Sequence, residues 1–260
     1  MLTLFTYNVS PYGAKVRAVL GYKQLPFQER IVPPLERAEL VRRSGQKLVP
    51  VIDDDGHTVA DSTRIIAFLD ERYPQRPVLP RDPALRARAL LVEELIDEGL
   101  ASTIQPVRWL IPANARRTAA LFRAPYAPGL VEDLRMGLVA AVVRLDMRRQ
   151  HGSRALAVAA PATLLARLGE LLDTVDAALA DTGWLVGPSP SVADFALVGW
   201  LGRLRGLDGW ELVQARQRVA RLLETLAEPT HDASSITEEA ERLAATGGPH
   251  LAPPTGSSRN

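Results

Sequence analysis

The sequence predicts a small α/β domain followed by an all-helical domain. Three observations support this fold class. Short strand-like and helix-like patterns alternate through the first 73 residues in the order βαβ and then ββα. Four prolines then fall between residues 74 and 83 without a periodic pattern, as in a semi-rigid connection between domains. Beyond them the strand patterns end, whereas helical stripes continue to about residue 226.

The first unit is a strand, a helix and a strand. Residues 2–5 form an apolar strand pattern, and residues 27–32 form a second one after Pro26. Between them, residues 13–23 carry a stripe at helical spacing, made of Val16, Val19, Leu20 and Lys23. A strand–helix–strand succession of this length favours a right-handed crossover, so we expect the two strands to be parallel.

The second unit is a hairpin followed by a helix. Residues 49–52 and 57–60 are strand-like, and residues 53–56 between them end in an Asp-Gly step, which is a hairpin signal. We therefore expect this pair of strands to be antiparallel. Residues 62–73 then place apolar side chains on one helical face, and the pattern stops at Pro74.

The second half is predicted to be helical throughout. Four amphipathic segments cover residues 84–100, 164–179, 191–205 and 211–226, and the first stripe is carried by Ala87, Leu91 and Leu95. Ser191 and Asp194 have the spacing of a capping box, which is a structural signal at a helix start. After Pro229 the chain turns polar, with a short helix expected over 237–245 and disorder from residue 247.

Composition narrows the classes of function. The chain has 260 residues, 47% of them hydrophobic, so it can bury the cores of two modest domains. Its formal net charge is +1 with ionic residues spread along the chain, so we expect neither nucleic acid nor a membrane as a partner. It has no cysteine and four scattered histidines, so we expect no metal and no redox sulfur of its own. No leader pattern and no run of eighteen apolar residues occurs, which predicts a soluble, cytoplasmic protein.

Four motifs together resemble the cytosolic glutathione transferase family. They are SPYGAKVRAVL at 10–20, GQKLVPVIDDDG at 45–56, ADSTRIIAFLDERYP at 60–74 and PSVADFALVGWL at 190–201. Each string alone is weak, but their order and spacing are specific, and the resemblance covers about residues 1–228. Ser10 falls where several classes of this family have serine or cysteine.

The resemblance implies both an architecture and a set of ligands. The architecture is a thioredoxin-like, glutathione-binding domain over residues 1–78, a linker over 79–84, an all-helical domain over 85–228 and a polar tail over 229–260. The ligands are glutathione or a related low-molecular-weight thiol, as co-substrate or cofactor, and a hydrophobic electrophilic small molecule. A homodimer and a role in detoxification are implied as well.

Ser10 is the candidate for thiol activation. It precedes a helix whose free N–H groups favour negative charge, so its hydroxyl is placed to donate a hydrogen bond to a thiolate. The alternative is an ordinary N-cap serine followed by Pro11 at the first helical position, and both roles are compatible. Tyr7 is the competing hydroxyl, because other classes of the family use a tyrosine near the end of the first strand; a strand-face position is its structural alternative.

The remaining thiol-site candidates follow from the second and third motifs. The resemblance implies a cis bond at Val49–Pro50, which presents the main chain of Val49 to an extended peptide ligand; an edge-strand proline with a trans bond is the alternative. Asp61 and Ser62 open a helix, so Ser62 suits a ligand carboxylate and Asp61 its ammonium, unless both only cap the helix. Lys47 is either a partner for a terminal carboxylate or a solvated lysine.

Three residues are candidates for the acceptor pocket between the domains. They are Tyr12, Arg108 and Trp109, with an exposed surface position for Tyr12 and Arg108 and a core position for Trp109 as the alternatives. The leading function is a transferase that adds the thiol to an electrophile. Two alternatives stay open on the same fold: an isomerase, dehalogenase or biosynthetic enzyme that uses the thiol as a cofactor, and a non-catalytic binding protein.

Overall fold

The computed structural model describes residues 1–32, 37–126 and 160–227, with residues 129, 134, 137–143, 145 and 146 between the last two ranges. The predicted helix at 237–245, the polar tail and most of the segment 124–161 lie outside the described residues. Within the described residues, no helix is long and apolar enough to cross a membrane.

A four-stranded mixed sheet forms the first half. The strands are β1 (Leu2–Thr6), β2 (Phe27–Ile31), β3 (Val51–Asp54) and β4 (His57–Ala60), in the spatial order β2-β1-β3-β4. β1 and β2 are parallel and joined by a helix, whereas β3 is antiparallel to both β1 and β4. The predicted strand pairings are therefore confirmed, and the sheet is that of a thioredoxin-like domain.

The hairpin turn is shorter than predicted. β3 begins at Val51 rather than at residue 49, and it continues to Asp54, because Asp53 and Asp54 pair with β4 on one side and β1 on the other. The turn itself is the two-residue step Asp55-Gly56, with φ of +49° and +93°. Positive φ at both positions suits the twist of a tight hairpin, and glycine adopts it without a steric cost.

Eleven helices accompany and follow the sheet in the part of the chain that the structure describes. They are α1 (Pro11–Tyr22), α2 (Ala38–Ser44), α3 (Ser62–Arg72), α4 (Pro83–Glu94), α5 (Ala101–Leu110), α6 (Pro112–Arg123), α7 (137–143), α8 (Pro161–Ala178), α9 (Val192–Leu201), α10 (Trp210–Gln214) and α11 (Gln217–Thr225). A π-helical turn, Leu95–Leu100, joins α4 to α5, and a 3₁₀ turn, Gly202–Leu204, follows α9.

The sequence patterns missed α2, α5 and α6. α2 has only seven residues and ends at Gly45, with φ of +73°, so it is too short for a clear stripe. α5 contains Pro106, which as a sequence signal marks a break rather than a helix interior. The segment predicted as one helix over 211–226 is divided between α10 and α11, around Arg216.

The predicted buried stripe of α4 is wrong. Leu91 is 67% exposed and Leu95, in the π-helical turn, is 70% exposed, while Glu93 and Asp97 are 2% and 7% exposed. The reason is an ion-pair network: the Lys15 ammonium of α1 donates to Glu93 and, at 2.9 Å, to Asp97. Two acidic residues that a hydropathy pattern assigns to solvent are thus turned inward by a buried cation.

α9 packs directly on α1 and joins the two halves. All ten residues of α9 are buried, and a Cβ at Gly199 would lie 2.5 Å from the carbonyl oxygen of Pro11 and 3.0 Å from Cβ of Lys15. Only a residue without a side chain allows this approach. The capping box predicted at the start of α9 is confirmed, with Asp194 accepting at 2.8 Å from the N–H of Ser191.

Candidate functional site

Ser10 lies where β1 passes into α1, at the N-cap of the helix. It is 7% exposed, has extended backbone angles, and its Oγ accepts from the N–H of Gly13 at 3.1 Å. Pro11 follows as the first helical residue. A hydroxyl carries one proton and two acceptor positions, and this one donates to no acceptor among the described residues. The capping bond therefore leaves the hydroxyl proton of Ser10 available at a helix end that favours anions.

Gly13 fixes the start of α1 against the first strand. A Cβ at this position would lie 1.9 Å from Oγ1 of Thr6, a distance that no side chain tolerates. Thr6 is the last residue of β1 and is fully buried. The short loop of residues 7–10 is thus held between a strand and a helix that touch each other.

Tyr7 is the second hydroxyl at this place. Its Oη is buried and has no hydrogen-bond partner within the described chain. Its ring meets Phe122 edge-on, with centroids 5.8 Å apart, and the guanidinium of Arg37 lies 5.7 Å from the ring centroid. Burial raises the pKa of Tyr7, and the charge of Arg37 opposes that rise, so the phenol is neutral at neutral pH.

Val49 and Pro50 directly precede β3. Their peptide bond is cis, as the resemblance implies, and Pro50 is buried. Val49 and Tyr7 both pack, partly buried, against a cluster of Phe5, Val32, Leu40 and Val51. Lys47 is exposed; its carbonyl accepts from Arg37 at 3.3 Å, and no described residue pairs with its ammonium.

Asp61 and Ser62 form the start of α3. Asp61 is exposed, has φ of +79°, and caps the helix by accepting from the N–H of Arg64 at 3.0 Å. Ser62 is the first helical residue and is 5% exposed. Its hydroxyl forms no hydrogen bond with any described residue. Asp61 therefore caps α3, as the structural alternative predicted. The Ser62 hydroxyl, in contrast, has no hydrogen-bond partner among the described residues.

Tyr12 points to the junction of α1 with the helical half. Its ring meets that of Trp200 edge-on at 5.5 Å, and its hydroxyl lies 3.5 Å from the carbonyl oxygen of Asp97. Burial raises the pKa of Tyr12 well above its usual value, and nearby carboxylates raise it further. These carboxylates belong to Asp97, Glu98, Glu94 and Asp61. Acidic side chains of both halves are thus near enough to Tyr12 to affect its pKa.

Arg108 and Trp109 both lie in the last turns of α5, at 3% and 6% exposure. The core position considered for Trp109 is confirmed, and the exposed position considered for Arg108 is wrong. The guanidinium of Arg108 donates to the carbonyl of Val9 at 3.0 Å and to Oε1 of Gln105 at 3.4 Å. Burial, and secondarily the charge of Arg203, lowers its pKa to about 9.

Two further arginines reach the same loop and were missed by the sequence analysis. Arg17 of α1 donates to the carbonyl of Tyr7 at 3.4 Å, and Arg203 of the 3₁₀ turn donates to the carbonyl of Asn8 at 2.7 Å. With Arg108 at Val9, three consecutive carbonyls before Ser10 each accept from a different arginine. Arg203 is 195 residues from Asn8 in the chain, so no local pattern signals this contact.

The network of Lys15, Glu93 and Asp97 was also missed. Besides Lys15, Glu93 accepts from the hydroxyl of Thr63, next to Ser62, and Asp97 accepts from the indole N–H of Trp200 at 2.9 Å. The network therefore ties the starts of α1 and α3 to the helical half. Among the described residues, no group of three or more His, Cys, Asp or Glu side chains is arranged to hold a metal ion.

Comparison with known proteins identifies two matching family models. The model described as glutathione S-transferase, N-terminal domain, matches residues 4–77, and the C-terminal domain model of the same family matches residues 149–225. Together they cover more than half of the chain.

A curated relative and two solved structures add to this. A probable maleylacetoacetate isomerase 2 of Drosophila melanogaster is 31% identical over 114 residues, which is 42% of this chain and 48% of that protein. The chain thus spans about half the length of the curated relatives it matches. A glutathione S-transferase from Rhodospirillum rubrum F11 superposes with a TM-score of 0.59 at 21% identity, covering 90% of this chain and 94% of its own. Rice GST1, in complex with glutathione, gives 0.59 at 20% identity, with 94% and 97% covered. At these identities the two structures show the fold.

Proposed function

Since the chain belongs to the glutathione S-transferase family, we propose that it binds glutathione, or a related thiol, and activates the sulfur for attack on an electrophilic small molecule. The observation that carries this proposal is the Ser10 hydroxyl, which is buried at the N-cap of α1 and donates to no acceptor within the described parts of the chain. In the proposed step the thiol loses its proton to solvent, and the Ser10 hydroxyl donates a hydrogen bond to the thiolate. The sulfur electron pair then forms a bond to the electrophilic carbon of the acceptor. In a substitution the bond to the leaving group breaks and that group departs with its electron pair; in an addition the π bond opens and solvent protonates the adduct.

The energy that this activation requires is modest. A free thiol has a pKa of about 8.5, and lowering it by roughly 2 units requires about 2.7 kcal/mol of preferential stabilisation of the thiolate. A charge-assisted hydrogen bond contributes about 1.5–3 kcal/mol, and a helix N-terminus about 0.3–1 kcal/mol. The hydrogen bond from the Ser10 hydroxyl and the N-terminus of α1 together can therefore supply the stabilisation that this pKa shift requires.

The rest of the thiol is proposed to lie along the cis-proline strand and the start of α3. The main chain of Val49, next to Pro50, aligns the peptide. The unused hydroxyl and N-terminal N–H groups at Ser62 suit the ligand's α-carboxylate. The carboxylate of Asp61, which is exposed directly before Ser62, suits its ammonium. The exposed ammonium of Lys47 suits the second carboxylate.

A second candidate function uses the thiol as a cofactor that is regenerated. The observation that favours it is the matched relative in Drosophila melanogaster, whose name is that of an isomerase. The same site residues serve both candidates, because each begins with a bound thiolate. Consumption of the thiol separates them: a transferase consumes one thiol for each product, and an isomerase consumes none.

We also propose the assembly and the location that the resemblance implies. The protein is proposed to be a cytoplasmic homodimer, with Leu91 and Leu95 in its interface. These side chains are 67% and 70% exposed and one helical turn apart, so they form a contiguous apolar patch, the kind of feature that marks interaction surfaces. The double variant Leu91→Glu/Leu95→Glu is expected to be monomeric by light scattering. The same substitution at the exposed Leu48, which is 67% exposed, serves as the control; a dimer that survives in the double variant contradicts this interface.

The central test is binding of the thiol by the wild-type protein. Calorimetry measures affinity for glutathione, and the ultraviolet absorbance of the thiolate measures the pKa of the bound thiol. We expect binding with a bound-thiol pKa below that of the free thiol. A panel of electrophiles and isomerisable substrates then distinguishes the two candidates by thiol consumption. Binding with an unchanged thiol pKa supports a non-catalytic binding protein, and no binding of any low-molecular-weight thiol refutes the proposal.

A further inference from the structure

The loop before Ser10 is held by arginines from three elements. Arg17 comes from α1, Arg108 from α5 and Arg203 from the 3₁₀ turn after α9, and they donate to the carbonyls of residues 7, 8 and 9. Arg17 donates to the carbonyl of Tyr7 at 3.4 Å, Arg203 to that of Asn8 at 2.7 Å and Arg108 to that of Val9 at 3.0 Å. Ser10 is the next residue, and its N–H donates to the carbonyl of Tyr7 at 3.1 Å. The arginines therefore fix the main chain that carries the candidate hydroxyl.

Among the described residues, no acidic group compensates the charge of Arg108. Arg17 is paired with Glu29 at 2.8 Å. For Arg108, in contrast, the hydrogen-bond acceptors are a carbonyl and an amide, and no carboxylate lies within ion-pair distance among the described residues. Its Nε is buried and bonds to nothing in the part of the chain that the structure describes. Besides burial, the positive charge of Arg203 lowers the pKa of the Arg108 guanidinium.

A buried cation without an anion is costly, because the interior solvates it poorly. A neutral side chain of similar size would hold the carbonyl of Val9 at a lower cost. The positive charge gains a favourable partner when an anion reaches the loop next to it, and in the proposed function that anion is the thiolate at Ser10. An opposite charge within about 4–6 Å typically moves a pKa by about 1–3 units.

The other charged groups near the loop are accounted for. Arg17 is neutralised by Glu29, and Arg37 lies over the ring of Tyr7 on the side of the sheet. The carboxylates that act on Tyr12 belong to Asp97, Glu98, Glu94 and Asp61, and Lys15 lies between Glu93 and Asp97. Arg203 is only partly buried and donates to the carbonyl of Asn8. Arg108 is thus a buried charge on the loop for which no acidic partner is found among the described residues.

We propose that Arg108 is a positioning residue that orients the Asn8–Ser10 main chain and supplies the positive potential that favours a thiolate at Ser10. This inference rests on the proposed function, and it assigns Arg108 to thiol activation rather than to direct contact with the acceptor. Arg108 acts through the loop and through its field, since it is only 3% exposed.

The test compares the pKa of bound glutathione in charge-removing and charge-keeping variants. Arg108→Met removes the charge, Arg108→Gln keeps a donor for the Val9 carbonyl, and Arg108→Lys keeps the charge. Arg167→Gln, which removes an exposed arginine of α8, is the control. We expect both neutral variants to raise the bound-thiol pKa by about one unit, a tenfold fall in the ionisation constant. The lysine variant and the control are expected to stay close to wild type.

A purely structural role predicts a different result. If Arg108 only stabilises the fold, all three Arg108 variants have a lower melting temperature than the wild-type protein and the same bound-thiol pKa. An unchanged pKa in a folded neutral variant, or an equal rise in Arg108→Lys, overturns the inference; if Arg108→Met does not fold, Arg108→Gln decides. Failure of the wild-type protein to bind thiol refutes the proposed function instead, so the two failures are distinguishable.

Discussion

Replacing Ser10 with alanine separates its two roles, which are capping α1 and activating the thiol. The capping bond to the N–H of Gly13 is 3.1 Å long, and its loss is expected to lower the free energy of unfolding by about 1 kcal/mol. Loss of one charge-assisted hydrogen bond to the thiolate costs about 2 kcal/mol. Since 1.36 kcal/mol corresponds to one pKa unit, we expect the bound-thiol pKa to rise by about 1.5 units, roughly 30-fold in the ionisation constant.

The assay is ultraviolet titration of bound glutathione, combined with denaturant unfolding of the same samples. Asp82→Ala is the matched control, because Asp82 caps α4 by accepting from the N–H of Leu85 at 2.8 Å. It is expected to lose a similar stability with no change in the thiol pKa. Tyr7→Phe tests the competing hydroxyl. An unchanged bound-thiol pKa in Ser10→Ala refutes the reasoning, and a rise confined to Tyr7→Phe assigns the activation to Tyr7.

Three further predictions concern the scaffold. Gly13→Ala is expected to cost about 3 kcal/mol or more of unfolding free energy, since its Cβ would lie 1.9 Å from Oγ1 of Thr6; the double variant Thr6→Ala/Gly13→Ala recovers part of this by urea unfolding. Lys15→Met leaves two buried carboxylates without their cation and is expected to cost about 3–5 kcal/mol in the same assay. Burial alone would raise the pKa of Asp176, but hydrogen bonds from the Arg218 side chain and from the backbone N–H groups of Val219 and Arg218 outweigh it. The pKa of Asp176 is therefore lowered. The Asp176 carboxylate therefore stabilises the folded state above its pKa in the unfolded chain, and this stabilisation is lost as the pH falls through its pKa in the folded protein. The stabilisation is under about 1 kcal/mol, because the carboxylate is near the surface. Asp176→Asn is expected to remove this part of the acid dependence of the unfolding free energy.

Each of these has a control elsewhere in the chain. Gly99→Ala has no atom within 4 Å of the added Cβ, so it is expected to be neutral or slightly stabilising. Lys47→Met removes an exposed lysine and is expected to change stability by less than about 0.5 kcal/mol. Asp173→Asn removes a carboxylate that is 68% exposed and pairs with Arg216, and it is expected to change the free energy of unfolding by less than about 1 kcal/mol. A control that behaves like its test variant contradicts the structural explanation in each case.

Local signals were sufficient to predict the start of the site. Ser10 followed by Pro11 is a helix start that depends only on neighbouring residues, and the cap is present. The strand pairings also followed, because the length of each connection limits the pairing. The DG turn was placed correctly, but the strand before it extends two residues further than its hydrophobicity suggests, since Asp53 and Asp54 pair through the main chain.

Contacts between distant residues were beyond the reach of such patterns. Lys15 and Glu93 are 78 residues apart, and Arg108 and Val9 are 99 apart. Hydropathy places each of these charges at the surface, and only the partner across the core reverses that assignment. The prediction that Leu91 and Leu95 are buried fails for the same reason. A helix orientation that points Glu93 into the core points these two leucines toward solvent.

The absence of a side chain at Gly199 limits how this protein can be divided. α9 touches the backbone of α1 there, and one continuous hydrophobic cluster includes Leu4 and Val16 of the first half with Leu197 and Trp200 of the second. A gene truncated after the linker would encode a sheet whose main helix had lost its cover, and we expect such a fragment to aggregate when expressed alone. Exchange of helical halves between homologous genes is expected to succeed only where the incoming half keeps glycine at this place.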